Sequence, residues 1–305
     1  MWHIEPTPAS HLDEALTLIV TGGRQDLAPA QALRELRAYL ASDAAAHATV
    51  WWAWQGEGAA PWPLAAAAVI SSPGKTALVL HSTAAAGVVG IEPLADVLSA
   101  AARHTLATSA VMVQVLLEPS AQGDVRAFEQ AGFVRLAELI YMRLSLRGRA
   151  EAGAPPDLQF VSYAAATHAD FARAIAASYA GSLDCPAMEG VRDVQDAIAA
   201  HKVAGIFRPD LWTLALCDGQ PAGILLLNEN FQARALEVVY MGVAAPFRGR
   251  GVGRALLARA VQLAKGEHFS ALCLAVDTGN TYACRLYVQS GFVETFRRLA
   301  YMRKK

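Results

Sequence analysis

The chain has 305 residues, 54% of them apolar, and a formal net charge of -1. Such a length and apolar content suit two buried cores and exclude a disordered chain; the near-zero charge lacks the electrostatic footprint of a nucleic-acid or anionic-membrane binder. The four cysteines (Cys185, Cys217, Cys273, Cys284) are irregularly spaced in the second half, which fits reduced thiols of a cytoplasmic protein better than a metal site or a disulfide framework.

Taken in chain order, Met1 to Pro6 has no basic region leading into an apolar run, so it is read as a first strand and not as a signal peptide. Trp51, Trp52, Trp54 and Trp62 lie on the strands of a hairpin around Gln55 to Ala60. Alternation puts Trp52 and Trp54 on one face and Trp51 on the other. Trp62 to Ile70 is apolar but contains Pro63 and falls well short of about 20 residues, so it reads as a buried strand and not a membrane span.

The two halves end on similar text. Ala127-Phe-Glu-Gln-Ala-Gly-Phe133, then Tyr141-Met-Arg143, matches Leu286-Tyr-Val-Gln-Ser-Gly-Phe292, then Tyr301-Met-Arg303. This is a domain-scale internal duplication. Arg147 to Pro156, rich in Gly, Ala and Pro, reads as an exposed connection with the boundary near residue 152, giving domains 1–150 and 157–305.

In the second half the pattern predicts a strand from Gln159 to Tyr163 and helices from Thr167 to Tyr179 and Val191 to Lys202. Strands Trp212 to Cys217 and Ala222 to Asn228 are joined by an Asp218-Gly219 hairpin signal. A strand from Ala235 to Val243, a helix from Gly251 to Lys265, a strand from Ala271 to Val276, a helix from Tyr282 to Ser290 and two final strands complete it. The order β-α-α-β-β-β-α-β-α-β-β holds for both halves. The fold class is therefore α/β (α+β): two tandem domains, each a mixed, mostly antiparallel sheet flanked by helices.

The most informative segment is the apolar strand ending at Met241-Gly-Val243, the turn Phe247-Arg-Gly-Arg-Gly-Val-Gly-Arg254 and the helix that follows. A glycine turn at a helix N-terminus is an anion site, since unpaired amides point outward and the helix dipole favours negative charge. Arg248, Arg250 and Arg254 can add charge-assisted contacts, and side chains at Gly249, Gly251 or Gly253 would block a diphosphate. A nucleoside-triphosphate P-loop is excluded because Gly253-Arg254-Ala255 lacks the lysine and the hydroxyl. A dinucleotide fingerprint lacks its third glycine, although Asp277 stands where a ribose partner would.

Arg248-x-x-Gly251-x-Gly253, followed by Asn280-x-x-Ala283-x-x-Leu286-Tyr287-x-x-x-Gly291-Phe292, resembles the paired signatures of the Gcn5-related N-acetyltransferase (GNAT) superfamily. The resemblance implies acetyl-CoA held in a splay between Ala235 to Val243 and Ala271 to Val276. Amides around Met241, Gly242 and Val243 would meet pantetheine and thioester, and Arg248, Gly249, Arg250, Gly251, Val252, Gly253 and Arg254 the diphosphate. Asn280 is expected to contact the cofactor or cap its helix. Glu237 matches a family glutamate and is the expected base toward the acceptor amine, its other reading being a strand residue paired with Arg234. Tyr287 is the expected proton donor to the leaving thiolate, its other reading being core packing. Cys284 reads as an inert thiol and not an acyl carrier.

The resemblance places a small-molecule amine acceptor over the first two helices and the loop between them. Asp184 and Glu189 are the expected holders of a cationic acceptor and Tyr179 or Ser182 would orient it, their other reading being ordinary capping and solvation. Cys185 has a lesser reading as a reactive thiol at the pocket mouth, and His201 reads as a helix-end cap or an exposed side chain. In the first half the corresponding turn, Ser82 to Pro93, has no arginine and carries Glu92 and Pro93, and the tyrosine position is Phe128. Residues 1–150 thus look like a copy that has lost cofactor binding, similar in architecture to tandem acetyltransferases of the mycothiol synthase kind. The resemblance implies direct transfer of an acetyl group to a primary amine, with no metal, nucleic acid or membrane, by a monomer or homodimer. Two readings compete with it: a non-catalytic acyl-CoA-binding module, and an enzyme using aminoacyl-tRNA donors.

Overall fold

The structure, a computed structural model, describes residues 1–22, 29–42, 45, 47–56, 62–84, 91–148, 158–188, 190–191 and 193–305. In chain order the first elements are β1 (His3–Pro6), α1 (Leu12–Thr21), α2 (Pro29–Leu40), β2 (Ala48–Gln55), β3 (Trp62–Ser72), β4 (Thr76–His81), α3 (Glu92–Thr108), β5 (Met112–Leu117), α4 (Gln122–Gln130) and β6 (Val134–Ser145). Then come β7 (Gln159–Ser162), α5 (His168–Tyr179), α6 (Val194–Val203), β8 (Ile206–Phe207), β9 (Thr213–Cys217) and β10 (Gln220–Asn230). The last are β11 (Ala235–Val243), α7 (Val252–Gly266), β12 (Ala271–Asp277), α8 (Thr281–Gln289) and β13 (Val293–Lys304).

These elements form two compact units, Met1–Leu136 with Leu299–Lys305, and Ala137–Arg298. The units do not coincide with the sequence halves 1–150 and 157–305, because the last strand of each half crosses over. β6 leaves the first unit after Leu136, and β13 leaves the second after Arg298. Two final strands were expected in the second half; the structure has one twelve-residue strand whose two ends serve different units.

In the first unit β1, β2, β3, β4 and β5 follow one another, and Leu299 to Lys304 of β13 closes the sheet antiparallel to β5. One pair, β4 with β5, is parallel. α3 buries Leu94, Val97, Leu98 and Ala101 in a core shared with Val69, Val113 and Phe128. Trp52 and Trp54 share a face under α1, while Trp51 meets His104 of α3 on the other, as alternation requires.

In the second unit Leu139 to Ser145 of β6 pairs antiparallel with β12, and β12 runs parallel to β11. β10, β9 and β7 follow antiparallel, with the short β8, which the pattern did not reveal, also on β10. Asp218 and Gly219 both have positive φ, 50° and 74°, as a tight hairpin turn demands. α7 buries Val252, Leu256, Leu257 and Val261 with Leu236, Val238, Leu272 and Leu274 of the sheet. Each fully buried leucine there contributes roughly 1.5–3 kcal/mol.

On the opposite face α5 buries Phe171, Ala174 and Ile175 against Trp212, Leu214, Ile224 and Leu226. Trp212 Nε1 donates to Asn228 Oδ1 at 2.9 Å, and Asn228 Nδ2 donates to the His201 and Ala204 carbonyls, fastening the end of α6. α6 starts at Val194 and not at Val191, because Asp193 caps it: its Oδ1 accepts from the Gln195 amide at 2.7 Å.

Candidate active site

β11 pairs with β10 from Ala235 to Val243, but with β12 only at Leu236, Glu237 and Val238. Between Leu226 and Leu227 of β10 the register slips, leaving Val239 without an opposite residue. Such a bulge increases local twist and bends the strand, which opens a splay between the far halves of β11 and β12. The edge from Val239 to Val243 that faces β12 is outside the ladder and offers backbone donors and acceptors. Met241 and Val243 point toward the α7 core, and Gly242 toward α5.

The splay ends at the glycine turn. A short 3-10 turn, Ala245–Phe247, leads to Gly249 and Gly251 with φ of 74° and 84°. A Cβ at either glycine meets nothing within 4 Å, so glycine is required there for the left-handed backbone and not for lack of room. Gly251 is the N-cap of α7 and has no side chain to cap it; the first turn carries no acidic residue, and the first helical bond runs from the Ala255 amide to the Gly251 carbonyl. The amides of Val252, Gly253 and Arg254 precede that bond and form the anion-facing end of the helix. Val252 itself is buried, and Gly253 lies 3.4 Å, measured from its ideal Cβ, from Leu286.

The three arginines of the turn do different things. Arg250 and Arg254 are exposed and have no carboxylate partner among the described residues; Arg250 lies over the Phe247 ring at 5.5 Å. Arg248 is turned inward on three carbonyls: Nε donates to Val243 at 3.1 Å, Nη1 to Gly181 at 3.0 Å and Nη2 to Ser178 at 2.9 Å. Asn280 caps α8, its Oδ1 accepting from the Ala283 amide at 3.2 Å, which realises the capping reading of that residue.

Tyr287 is 6% exposed, and its hydroxyl makes no hydrogen bond among the described residues. Burial, and then the charges of Asp184 and Cys284, push its pKa above the ordinary tyrosine value. Glu237 sits where β11 and β12 are still paired, about four residues or roughly 13 Å before Met241. Its partner is Asn230, whose Nδ2 donates to Oε2 at 2.7 Å, and not Arg234.

Asp277, passed over as a site residue in the sequence, is a buried carboxylate at the end of β12. Its Oδ2 accepts from the Cys185 amide at 3.1 Å, and its Oδ1 from the Gly279 amide at 2.9 Å. Burial and the neighbouring Asp277 charge raise the pKa of Asp184. Burial, with the charges of Asp184 and Asp277, pushes the Cys185 thiol up to about 12, which removes it as a nucleophile at neutral pH. Cys284 is raised by burial as well, and its thiol donates to the Asp277 carbonyl.

Of the remaining expected contacts, Ser182 accepts from the Asp184 amide at 3.1 Å, a local turn bond. Tyr179 sets its ring edge-on to Tyr240, and His201 tilts against the same tyrosine. Glu189 lies outside the described residues. Two residues missed in the sequence, Ser178 and Tyr240, share a 2.7 Å hydroxyl contact beneath Gly242. A Cβ on Gly242 would sit 2.5 Å from Ser178 Oγ and 2.9 Å from Tyr240 Oη. Gly242→Ala is therefore expected to destabilise the fold by about 1–3 kcal/mol, measured as a lower denaturant midpoint with unchanged slope.

The first unit repeats the splay: β4 and β5 pair only at Thr76, Ala77 and Leu78. Its end, however, is spent internally, since the Ala84 amide donates to Asp124 Oδ1 at 2.6 Å. Glu92 occupies the first turn of α3, and Phe128 is fully buried. Residues 85–90 of the corresponding turn lie outside the described residues.

The family model for the Acetyltransferase (GNAT) family matches residues 183–292, so the chain carries a domain of that family. Over 71 residues the chain is 35% identical to streptothricin acetyltransferase A of Bacillus subtilis (strain 168), a match covering 23% of this chain and 40% of that protein. Over 79 residues it is 30% identical to N-acetylaspartate synthetase of Rattus norvegicus, covering 26% of each. Both matches span less than half of the curated relative.

The whole chain shares its fold with a GCN5-related N-acetyltransferase from Sphaerobacter thermophilus, at TM-score 0.63 and 17% identity over 99% of this chain and 95% of that one. A tandem GNAT protein from the clavulanic acid biosynthesis pathway aligns at TM-score 0.52 and 15% identity over 100% and 98%. The chain is thus built of tandem GNAT folds. No helix among the described residues is long and apolar enough to cross a membrane.

Proposed function

We propose that the protein is an acetyl-CoA-dependent N-acetyltransferase acting by direct transfer on a primary amine of a small molecule. The observation that carries this reading is the β11–β12 splay ending at the N-terminus of α7 with no acid and no cap side chain. When bound, acetyl-CoA supplies an activated acetyl thioester. The Val252, Gly253 and Arg254 amides, with Arg250 and Arg254, hold its diphosphate, and the free edge of β11 orients the pantetheine. Amides near Met241, Gly242 and Val243 donate to the thioester oxygen, where charge grows during attack; fixed donors need no reorganisation there.

Asp184 draws a cationic amine toward the end of the splay. A primary amine with a pKa near about 10.4 arrives protonated at neutral pH, and Glu237, held by Asn230, takes that proton through water. As the new N–C bond replaces the C–S bond, Tyr287 would donate its proton to the departing sulfur, and the surplus proton on the new amide nitrogen would return to the phenolate. The first unit, with its internal Ala84–Asp124 bond, serves as a non-binding copy.

Coenzyme A release measured against a panel of small amines tests the reading. Amine-dependent thiol release is expected. Glu237→Gln should lower kcat/KM about 10²-fold near neutral pH. Coenzyme uptake with no release toward any amine would instead make the chain a binding module.

A further inference from the structure

Arg248 is the first residue of the turn motif Arg248-x-x-Gly251-x-Gly253, yet its guanidinium faces protein. Three of its five N–H donors are committed to carbonyls of Ser178, Gly181 and Val243. Ser178 and Gly181 lie at and just beyond the end of α5, where helix carbonyls lack internal partners and a cation is favoured. Val243 is the last residue of β11, on the free edge of the splay. Gly181 has φ of 60°, the left-handed conformation that turns its carbonyl back as the chain leaves α5.

The segment that follows has a second anchor. Asp277, at the end of β12, accepts from the Cys185 amide through Oδ2 at 3.1 Å. Residues 181–185 are therefore fastened to both lips of the splay: to β11 through Arg248 and to β12 through Asp277. Gly242 lies against Ser178 so closely that a Cβ has no room, so the end of α5 and the far half of β11 cannot shift independently.

We propose that Arg248 is a positioning residue and not a diphosphate ligand: it couples coenzyme occupancy of the 249–254 turn to the order of residues 178–188, which carry the acceptor-facing Asp184. The inference rests on the cofactor reading above. A ligand that fixes the turn fixes Arg248 at its root, and the three carbonyl bonds carry that restraint to the end of α5. Arg250 and Arg254, with no such partners, are left to the phosphates.

Peptide-resolved amide hydrogen exchange with and without coenzyme A tests this on the full chain. In the wild type, coenzyme A is expected to slow exchange at least about tenfold both in 249–254 and in 178–188. In Arg248→Ala the turn should still be protected and the coenzyme Kd should rise less than about threefold, whereas 178–188 should exchange faster and no longer respond. Arg248→Gln, which keeps a planar head with two donors, provides a second folded background and should show the same uncoupling.

Loss of turn protection in Arg248→Ala together with a Kd raised more than about 30-fold would make Arg248 a phosphate ligand and overturn the proposal. Retained protection of both segments in the variants would overturn it as well. If the wild-type turn shows no coenzyme protection, the cofactor reading fails and takes the coupling with it, a result distinct from either of the others.

Discussion

Tyr287→Phe is expected to lower kcat about 10²- to 10³-fold and to leave coenzyme A affinity within about threefold of wild type. The phenol sits in a buried position with Asp184 and Cys284 as its electrostatic neighbours, and all three influences raise its pKa. With the folded value above the ordinary one, the phenol stays protonated across the neutral range and loses its proton only at pH beyond about 10. A proton is thus always available for the departing thiolate. The substitution removes one oxygen that has no hydrogen-bond partner among the described residues, so it orphans no buried group and the melting temperature should barely move. Comparing kcat from thiol release with calorimetric coenzyme affinity separates chemistry from folding. Full turnover in the variant would reject the donor role.

Arg250→Glu combined with Arg254→Glu is expected to weaken coenzyme A binding at least about 100-fold. Each reversal removes a charge-assisted contact and sets a carboxylate at the positive end of α7, an effect of roughly 1–2 kcal/mol per site, and two such sites reach two decades in Kd. Both side chains are exposed and outside the core, so stability should change by no more than about 0.5 kcal/mol for each. Higher ionic strength should shrink the gap between variant and wild type, because these charges are screened. Calorimetry at two salt concentrations measures both effects; equal affinities would remove the phosphate assignment.

Much of this site was legible in local sequence. The apolar run of Ala235 to Val243, the glycines at 249 and 251 and the apolar face of α7 each act over a few residues, and the duplicated Gly-Phe and Tyr-Met-Arg text announced two similar units. Partner choice was not legible. β6 and β13 carry nearly the same pattern in each half, and nothing local tells a strand that its two ends will serve different sheets. Nor does the motif reveal that Arg248 reaches carbonyls 67 and 70 positions away, and not an anion. Asp277 had a visible signal, an acid at the end of a strand beside the motif, but the sequence offered it only as a ribose partner in a fingerprint that fails. Its role emerged when Cys185 and Asp184, nearly a hundred residues earlier, folded against it.

Calorimetric titration of the intact chain with coenzyme A tests the central claim most directly. One site per chain is expected, because the uncapped start of α7 is open to a diphosphate, while the matching splay of the first unit ends on the Ala84–Asp124 bond and a helix headed by Glu92. No uptake at millimolar coenzyme A, or two sites of equal affinity, would contradict it.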